Sequence, residues 1–227
     1  MKSPELRKEL SELVLHKRGI RINLQLPLIE SEDEIVLRDA DTLAARLLAL
    51  CLLHQFAHSD DEQKTTAAAT STLNAKLGSS LHTCFSENER ALLSPSDASS
   101  SPDLLDQRAL NGEALRFLLW ASGLVPTIGM PDGQAIDEKT QSAIMAITQH
   151  PTHLAQQIKV RSKSAILDWA DLLYRLHWAV RHAHITGKPT PGRLDADAVH
   201  EWHKAVNWLI RYDDEDDWDR ISTETAG

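Results

Sequence analysis

Residues 161–209, RSKSAILDWADLLYRLHWAVRHAHITGKPTPGRLDADAVHEWHKAVNWL, carry two helical periods separated by a Pro- and Gly-punctuated turn. At about 100° per residue, Ile166, Trp169, Leu172, Leu173, Leu176, Ala179 and Val180 share one face. Beyond GKPTPG, Asp195 or Asp197 can accept from the first free amides of a second helix, whose face of Ala198, Val199, Trp202, Ala205, Val206, Leu209 and Ile210 is equally apolar. So short a turn keeps the two helices adjacent, and the spacing predicts an antiparallel hairpin with both apolar faces in one core.

The other sides of this hairpin have an unusual composition. Asp168, Asp171, Arg175, Trp178 and His182 lie along one edge of the first helix, with Tyr174, His177, Arg181 and His184 beside them. A solvated face shows Glu, Lys and Gln. A large ring left in water forgoes a burial gain of about 2–3 kcal/mol, so this edge is expected to be covered. Covered charges need partners: Asp171 has Arg175 one turn on, and Asp168 requires a base from elsewhere. The second helix offers either His200, His203, Lys204, Asn207 and Arg211 or Glu201, Trp208 and Tyr212, and only one of these flanks can meet the first helix.

Outward from the hairpin, Ser3-Pro4 starts a helix with Leu6, Leu10 and Leu13 on one face, and Gly19 ends it. Ile20, Ile22, Leu24 and Leu26 then alternate with polar residues before Pro27, predicting a short extended arm at about 20–26 laid along the helical core. From about Asp41 a helix with Leu43, Leu47, Leu50 and Phe56 is apolar almost all round, which suits the middle of a bundle. Residues 58–80 shift to Ser, Thr, Ala, Asp and Gln, a surface helix or mobile segment. Ser86-Glu87-Asn88-Glu89 is a capping box for a short helix to about Leu93, and SDASSSPD after Pro95 is a loop. Ser101-Pro102 opens a long helix through Leu105, Leu110, Leu115, Leu118 and Leu119 to Trp120, stopped by Gly123; Asp137 caps another, carrying Ile144, Met145 and Ile147 and closed by His150-Pro151.

These signals predict an all-α fold, one helical domain over 1–227 with an acidic tail at 213–227. The 227 residues, 42% of them hydrophobic, suffice for a real core. The net charge of −9 argues against nucleic acid and anionic membrane as partners. Asp213, Asp214, Glu215, Asp216, Asp217 and Asp219 form one acidic run with no base inside it, either a solvated face or a landing site for a cationic partner. Arg7, Lys8, Lys17, Arg18 and Arg21 read as a solvated helix face without the interleaved aromatics that nucleic acid requires. Cys51 and Cys84 make no disulfide framework, MKSPELRKEL has no apolar core of a signal peptide, and the longest apolar run, Leu47 to Leu53, is far short of a membrane span. Cytoplasm is the expected compartment.

At the hairpin the chain resembles the bacterial domain of unknown function 4272 family. The resemblance rests on Arg161-Ser162, Ile166-Leu167-Asp168, Asp171-Leu172, Tyr174-Arg175, His177-Trp178-Ala179 and Arg181. It continues in Glu201, His203, Asn207-Trp208-Leu209, Trp218-Asp219, Ser222-Thr223 and Thr225. Earlier matches are Gly19-Ile20 to Leu26-Pro27, Arg46 with Leu50, and Glu113 through Leu118-Leu119-Trp120 to Gly123. Trp202 stands where the pattern has Arg, and Arg220 where it has an acid. The resemblance implies a single, mainly helical cytoplasmic domain and carries no activity with it.

His182 and His184 before the turn, with His200 and His203 after it, raise the question of zinc. HEWH spaces its histidines three apart, however, where the metalloprotease motif needs four, and hydrogen-bonded hairpin histidines are the preferred reading. No metal and no cofactor are expected. Asp168, Asp171, Tyr174, His177, Arg181, Glu201 and His203 are the candidates for an acid/base site, although the same residue types build a buried ion-pair lattice. Cys51 reads as core, Cys84 has no base beside it in sequence, and Ser162 or Ser164 suits a helix cap. With no phosphate loop and no complete catalytic motif, the leading expectation is a non-enzymatic protein-binding module that uses Asp213, Asp214, Glu215, Asp216 and Asp217 on a basic protein partner. An immunity-type role against a cationic toxin would be one form of it. The alternative is an enzyme or small-ligand receptor with a polar pocket between helices 164–185 and 197–211. The alternative requires a concave site at which His177, Arg181 and Glu201 or His203 converge, and a closed pairwise lattice would contradict it.

Overall fold

The computed structural model describes residues 2–57, 84–93 and 102–226. Segment 58–80, the loop after Pro95, and the side chains of Phe56, Leu105 and Leu110 lie outside this description. The described α-helices are α1 (Pro4–Lys17), α2 (Ala40–Ala57), α3 (Glu87–Leu93), α4 (Pro102–Ala121), α5 (Glu138–Gln149), α6 (Leu154–Gln157), α7 (Lys163–Ile185) and α8 (Ala196–Leu209). Short 3-10 turns cover Pro151–His153, Tyr212–Asp214 and Trp218–Arg220. Among the described residues there is no strand, and no helix is long and apolar enough to cross a membrane.

The starts follow their caps. Ser3 Oγ accepts from the Leu6 amide, Asp137 Oδ1 from Thr140, Ser162 Oγ from Ala165 and Asp195 Oδ1 from Ala198. Ser86 and Glu89 form the reciprocal capping box. At the end of α4, Gly123 takes φ +78°, and a Cβ there would stand 2.7 Å from the Lys159 carbonyl oxygen. The chain passes so close because the Lys159 and Arg161 amides donate to Ser122 and Ala121, while the Arg161 guanidinium donates to the Trp120, Val125 and Pro126 carbonyls.

The helices pack α1 against α7, α7 against α8, α8 against α4 and α4 against α2, with α5 on α2 and α4, and α6 on α2. The ring pairs His177 with His200 and Tyr174 with His203 run in opposite chain directions, so α7 and α8 are antiparallel. The main core joins α2, α4, α8 and the first half of α7, centred on the rings of Phe117, Trp120, Trp169 and Trp202. A smaller core gathers Leu15, Ile20 and Leu26 around Leu176, Ala179 and Val180 in the second half of α7.

Two expectations are corrected. The arm at 20–26 is coil and turn: Asn23 Oδ1 accepts from the Gln25 amide, the Leu26 amide donates to the Asn23 carbonyl, and Leu24 is turned out at 67% exposure while Ile20 and Leu26 stay buried. A local Asx turn has replaced the extended run. On α1 the leucines Leu6, Leu10 and Leu13 are exposed, and the helix buries Arg7, Ser11 and Leu15. Arg7 is therefore no part of a solvated basic face; it is drawn inward by Asp168 on α7.

Candidate functional site

The polar edge of α7 is covered, and the covering elements are the segment before α2 and the chain after α8. Asp171 and Arg175, 0% and 1% exposed, form a two-pronged ion pair at 2.6 and 2.8 Å, and Arg175 Nη2 also donates to the Pro27 carbonyl. Asp168 receives Lys2 Nζ at 2.6 Å and Arg7 Nε at 3.2 Å, the bases from elsewhere that its position demanded. Tyr174 OH accepts from the Ala226 amide, Arg181 donates to Thr225 Oγ1, and Asn207 Nδ2 donates to the Ser222 carbonyl. The tail is thus laced over the hairpin. Its Trp218 ring centre lies 4.5 Å from the Arg46 guanidinium and 4.8 Å from the Lys204 ammonium, edge-on to Trp208, and Arg46 also pairs with Glu89.

Under that cover His177 and His203 meet Nδ1 to Nδ1 at 2.9 Å, so the flank of α8 that faces α7 is the His200/His203 one. Burial pushes His177 down to about 4, helped by His200 and Arg181 and opposed by a Thr223 backbone hydrogen bond. Burial, with His177 and His200 adding to it, pushes His203 down to about 3. Both rings are neutral at pH 7, and one Nδ1 donates to the other. His200 Nδ1 lies 3.0 Å from Glu201 Oε1. His182 stacks on Trp178, and His184 is exposed on the far part of α7. Among the described residues no group of three or more His, Cys, Asp or Glu could hold a metal ion.

The seven candidates therefore come together, but as bonded pairs: Asp168 with α1, Asp171 with Arg175, Tyr174 and Arg181 with the tail, His177 with His203, and Glu201 with His200. The space left beside Tyr174, His203, Asn207 and Glu224 is about 90 Å³. Cys51 is fully buried, and burial holds its thiol protonated. Trp202 is fully buried and donates its indole N–H to Glu113 on α4. Burial raises the Glu113 carboxyl above its ordinary range, with Trp202 and Arg116 working against it.

The acidic run divides. Asp213, Asp214, Asp216 and Asp217 are all exposed, but Asp216 is held by Arg38 at 2.7 Å, Glu215 accepts from the Asp217 amide, and Asp217 accepts from the Asp219 amide, whereas no such bond holds the Asp213 and Asp214 carboxylates. Arg38 is the residue that sequence reasoning missed. Its Nε donates to the Trp208 carbonyl, its Nη2 to the Glu215 carbonyl and its Nη1 to Asp216, with the guanidinium 4.6 Å from the Trp208 ring centre. Arg38 closes the C-terminal end of α8 and fixes the acidic loop in one stroke. In sequence, its only signal was an arginine between Leu37 and Asp39 just ahead of a helix.

The family model described as "Domain of unknown function (DUF4272)" matches residues 7–221, and the chain belongs to that family. No curated protein and no solved structure matches it.

Proposed function

We propose that this DUF4272 protein is a non-enzymatic binding module that presents the acidic loop Asp213–Asp217 to a basic protein partner. A bacterial, cytoplasmic immunity-type role against a cationic toxin domain is one concrete form of that reading. The observation that carries it is the clamp of Arg38 on a loop of otherwise unfavourable backbone. Arg211, Asp213 and Asp214 all take φ between 53° and 57°, a conformation that costs non-glycine residues about 1–3 kcal/mol each where it is enforced. Arg38, bonded to Trp208, Glu215 and Asp216, holds the segment there, and Asp213 and Asp214 stay exposed. The Arg38 guanidinium, by its hydrogen bond and its charge, keeps the Asp216 carboxyl below the ordinary range. Support also comes from the hairpin flank, whose candidate acids and bases are engaged by one another, by α1 and by the tail.

The experiment is affinity capture from native lysate with two baits, the wild-type chain and Asp213→Asn/Asp214→Asn. Asparagine tolerates the left-handed conformation, so the loop keeps its shape and loses two charges. A protein retained by the wild type, released by salt and lost with the variant agrees with the proposal. Retention of the same proteins by both baits, or of none by either, refutes it.

A further inference from the structure

The contact of His177 with His203 fixes which ring nitrogens carry protons, and it leaves an acceptor free on the far side of His203. The Thr223 carbonyl takes a hydrogen bond from His177, whose Nδ1 is turned to His203, so the donating nitrogen is Nε2. A neutral ring has a single N–H. His177 Nδ1 therefore accepts, His203 donates from Nδ1, and His203 Nε2 is an unprotonated acceptor. One turn along α8, Asn207 Nδ2 donates to the Ser222 carbonyl, which orients the amide and leaves its Oδ1 without a donor. His203 and Asn207 are only 2% and 6% exposed, yet neither His203 Nε2 nor Asn207 Oδ1 is sealed off, and no hydrogen bond reaches either atom.

Both residues line the cavity of about 90 Å³ between α7, α8 and the chain around Glu30, with Ile29 and Ile210 on its apolar side. Glu30 and Glu224 line it too; neither carboxylate is in an ion pair, and no Lys or Arg stands in the wall. Arg175 and Arg211, next in sequence to Tyr174 and Tyr212 of that wall, are paired with Asp171 and Asp216 instead. Burial holds the Tyr212 hydroxyl above its ordinary range, and Asp213, Glu30, Tyr174 and Glu224 add to it, the mark of negative potential at this place. The ligand is therefore a cation with N–H donors. Since a cavity of about 150 Å³ is needed to hold a benzene ring, this one excludes rings and takes a thin, unbranched chain. Among the described residues no group of His, Cys, Asp and Glu could hold a metal ion, so the acceptors suit the longer reach of N–H groups. We propose that the slot binds a small primary alkylammonium, its N–H groups on His203 Nε2 and Asn207 Oδ1, its charge offset by Glu30 and Glu224, and its chain against Ile29 and Ile210. It uses the side of His203 turned away from His177, and it stands whether or not the acidic loop binds a protein.

The test is titration of the full chain at pH 7 with n-butylammonium chloride, read by the NMR signals of the His203 ring nitrogens and the Asn207 side-chain amide. 1-Butanol serves as an uncharged control of the same shape, and tetramethylammonium as a cation without N–H donors. A saturable shift of both signals with a millimolar or tighter Kd is expected for n-butylammonium, with either control weaker by about tenfold or more. Glu30→Gln/Glu224→Gln removes two carboxylates that hold no partner in the fold, and it weakens n-butylammonium by about tenfold or more. Absence of a saturable shift overturns the proposal. Equal affinity for 1-butanol, which marks an apolar hole, does so too, as does equal affinity for tetramethylammonium or undiminished n-butylammonium binding in the folded double variant.

Discussion

Between His177 and His203 a single proton bridges two nitrogens, and a further proton on either ring places a charge in a buried site under the tail that disfavours it. The values of about 4 and about 3 lie below the ordinary 6.5, so between pH 6.5 and 4 the unfolded chain binds more protons than the folded one. Stability is then full above pH 6.5 and falls as pH drops towards 4, by up to about 1.4 kcal/mol per pH unit for each ring. Urea unfolding measured from pH 7 to 5 should show that fall and His177→Gln/His203→Gln should flatten it; a wild-type profile no steeper than the variant's would contradict neutral burial. At the same scale, Asp171→Ala strands Arg175 and should cost about 3–5 kcal/mol in the same assay. The Asp171–Arg175 pair was legible because its spacing of one turn is local. Asp168 was legible as a residue in need of a base, but not its partners: Lys2 and Arg7 lie more than 160 positions away, and nothing near Arg7 in sequence distinguishes it from Lys8.

Helix starts were legible for the same reason of locality, since Ser3, Ser86, Asp137 and Asp195 each bond an amide three residues on. Orientation was not, because which face of α1 turns inward is decided by Asp168 on a different helix, and a stripe of leucines loses to a buried charge that must be paired. The arm failed on one residue: Asn23 offers the backbone a turn that alternation of apolar residues cannot reveal. Two expectations belong to elements. Gly123→Ala puts a methyl against the Lys159 carbonyl at a positive φ and should cost about 2 kcal/mol in thermal or chemical unfolding. Arg38→Ala removes three charged hydrogen bonds that join the entry of α2, the end of α8 and the acidic loop, and should cost about 3 kcal/mol or more. Arg38→Lys, which keeps the charge and loses the fork, should recover little of that. A loss under about 0.5 kcal/mol for Arg38→Ala would show that the loop holds its shape unaided.

The described helices form a bundle whose charged hairpin edge is closed by its own tail, through Ser222, Thr223, Thr225 and Ala226. The all-α class and the hairpin were readable from periodicity alone; the closure was not, because it joins pieces of chain that share no local pattern. Removing residues 221–227 should uncover Tyr174, His177 and His203, raise their hydrogen exchange and lower the melting temperature. Under the binding proposal those uncovered groups still do no chemistry, and the partner still meets Asp213 and Asp214. Hydrogen–deuterium exchange of the full chain, alone and with the partner captured by the wild-type bait, tests this most directly. The account predicts new protection over residues 211–217, with 174–181 and 200–207 unchanged. Protection confined to 174–181 and 200–207, with 211–217 exchanging as freely as before, would contradict it.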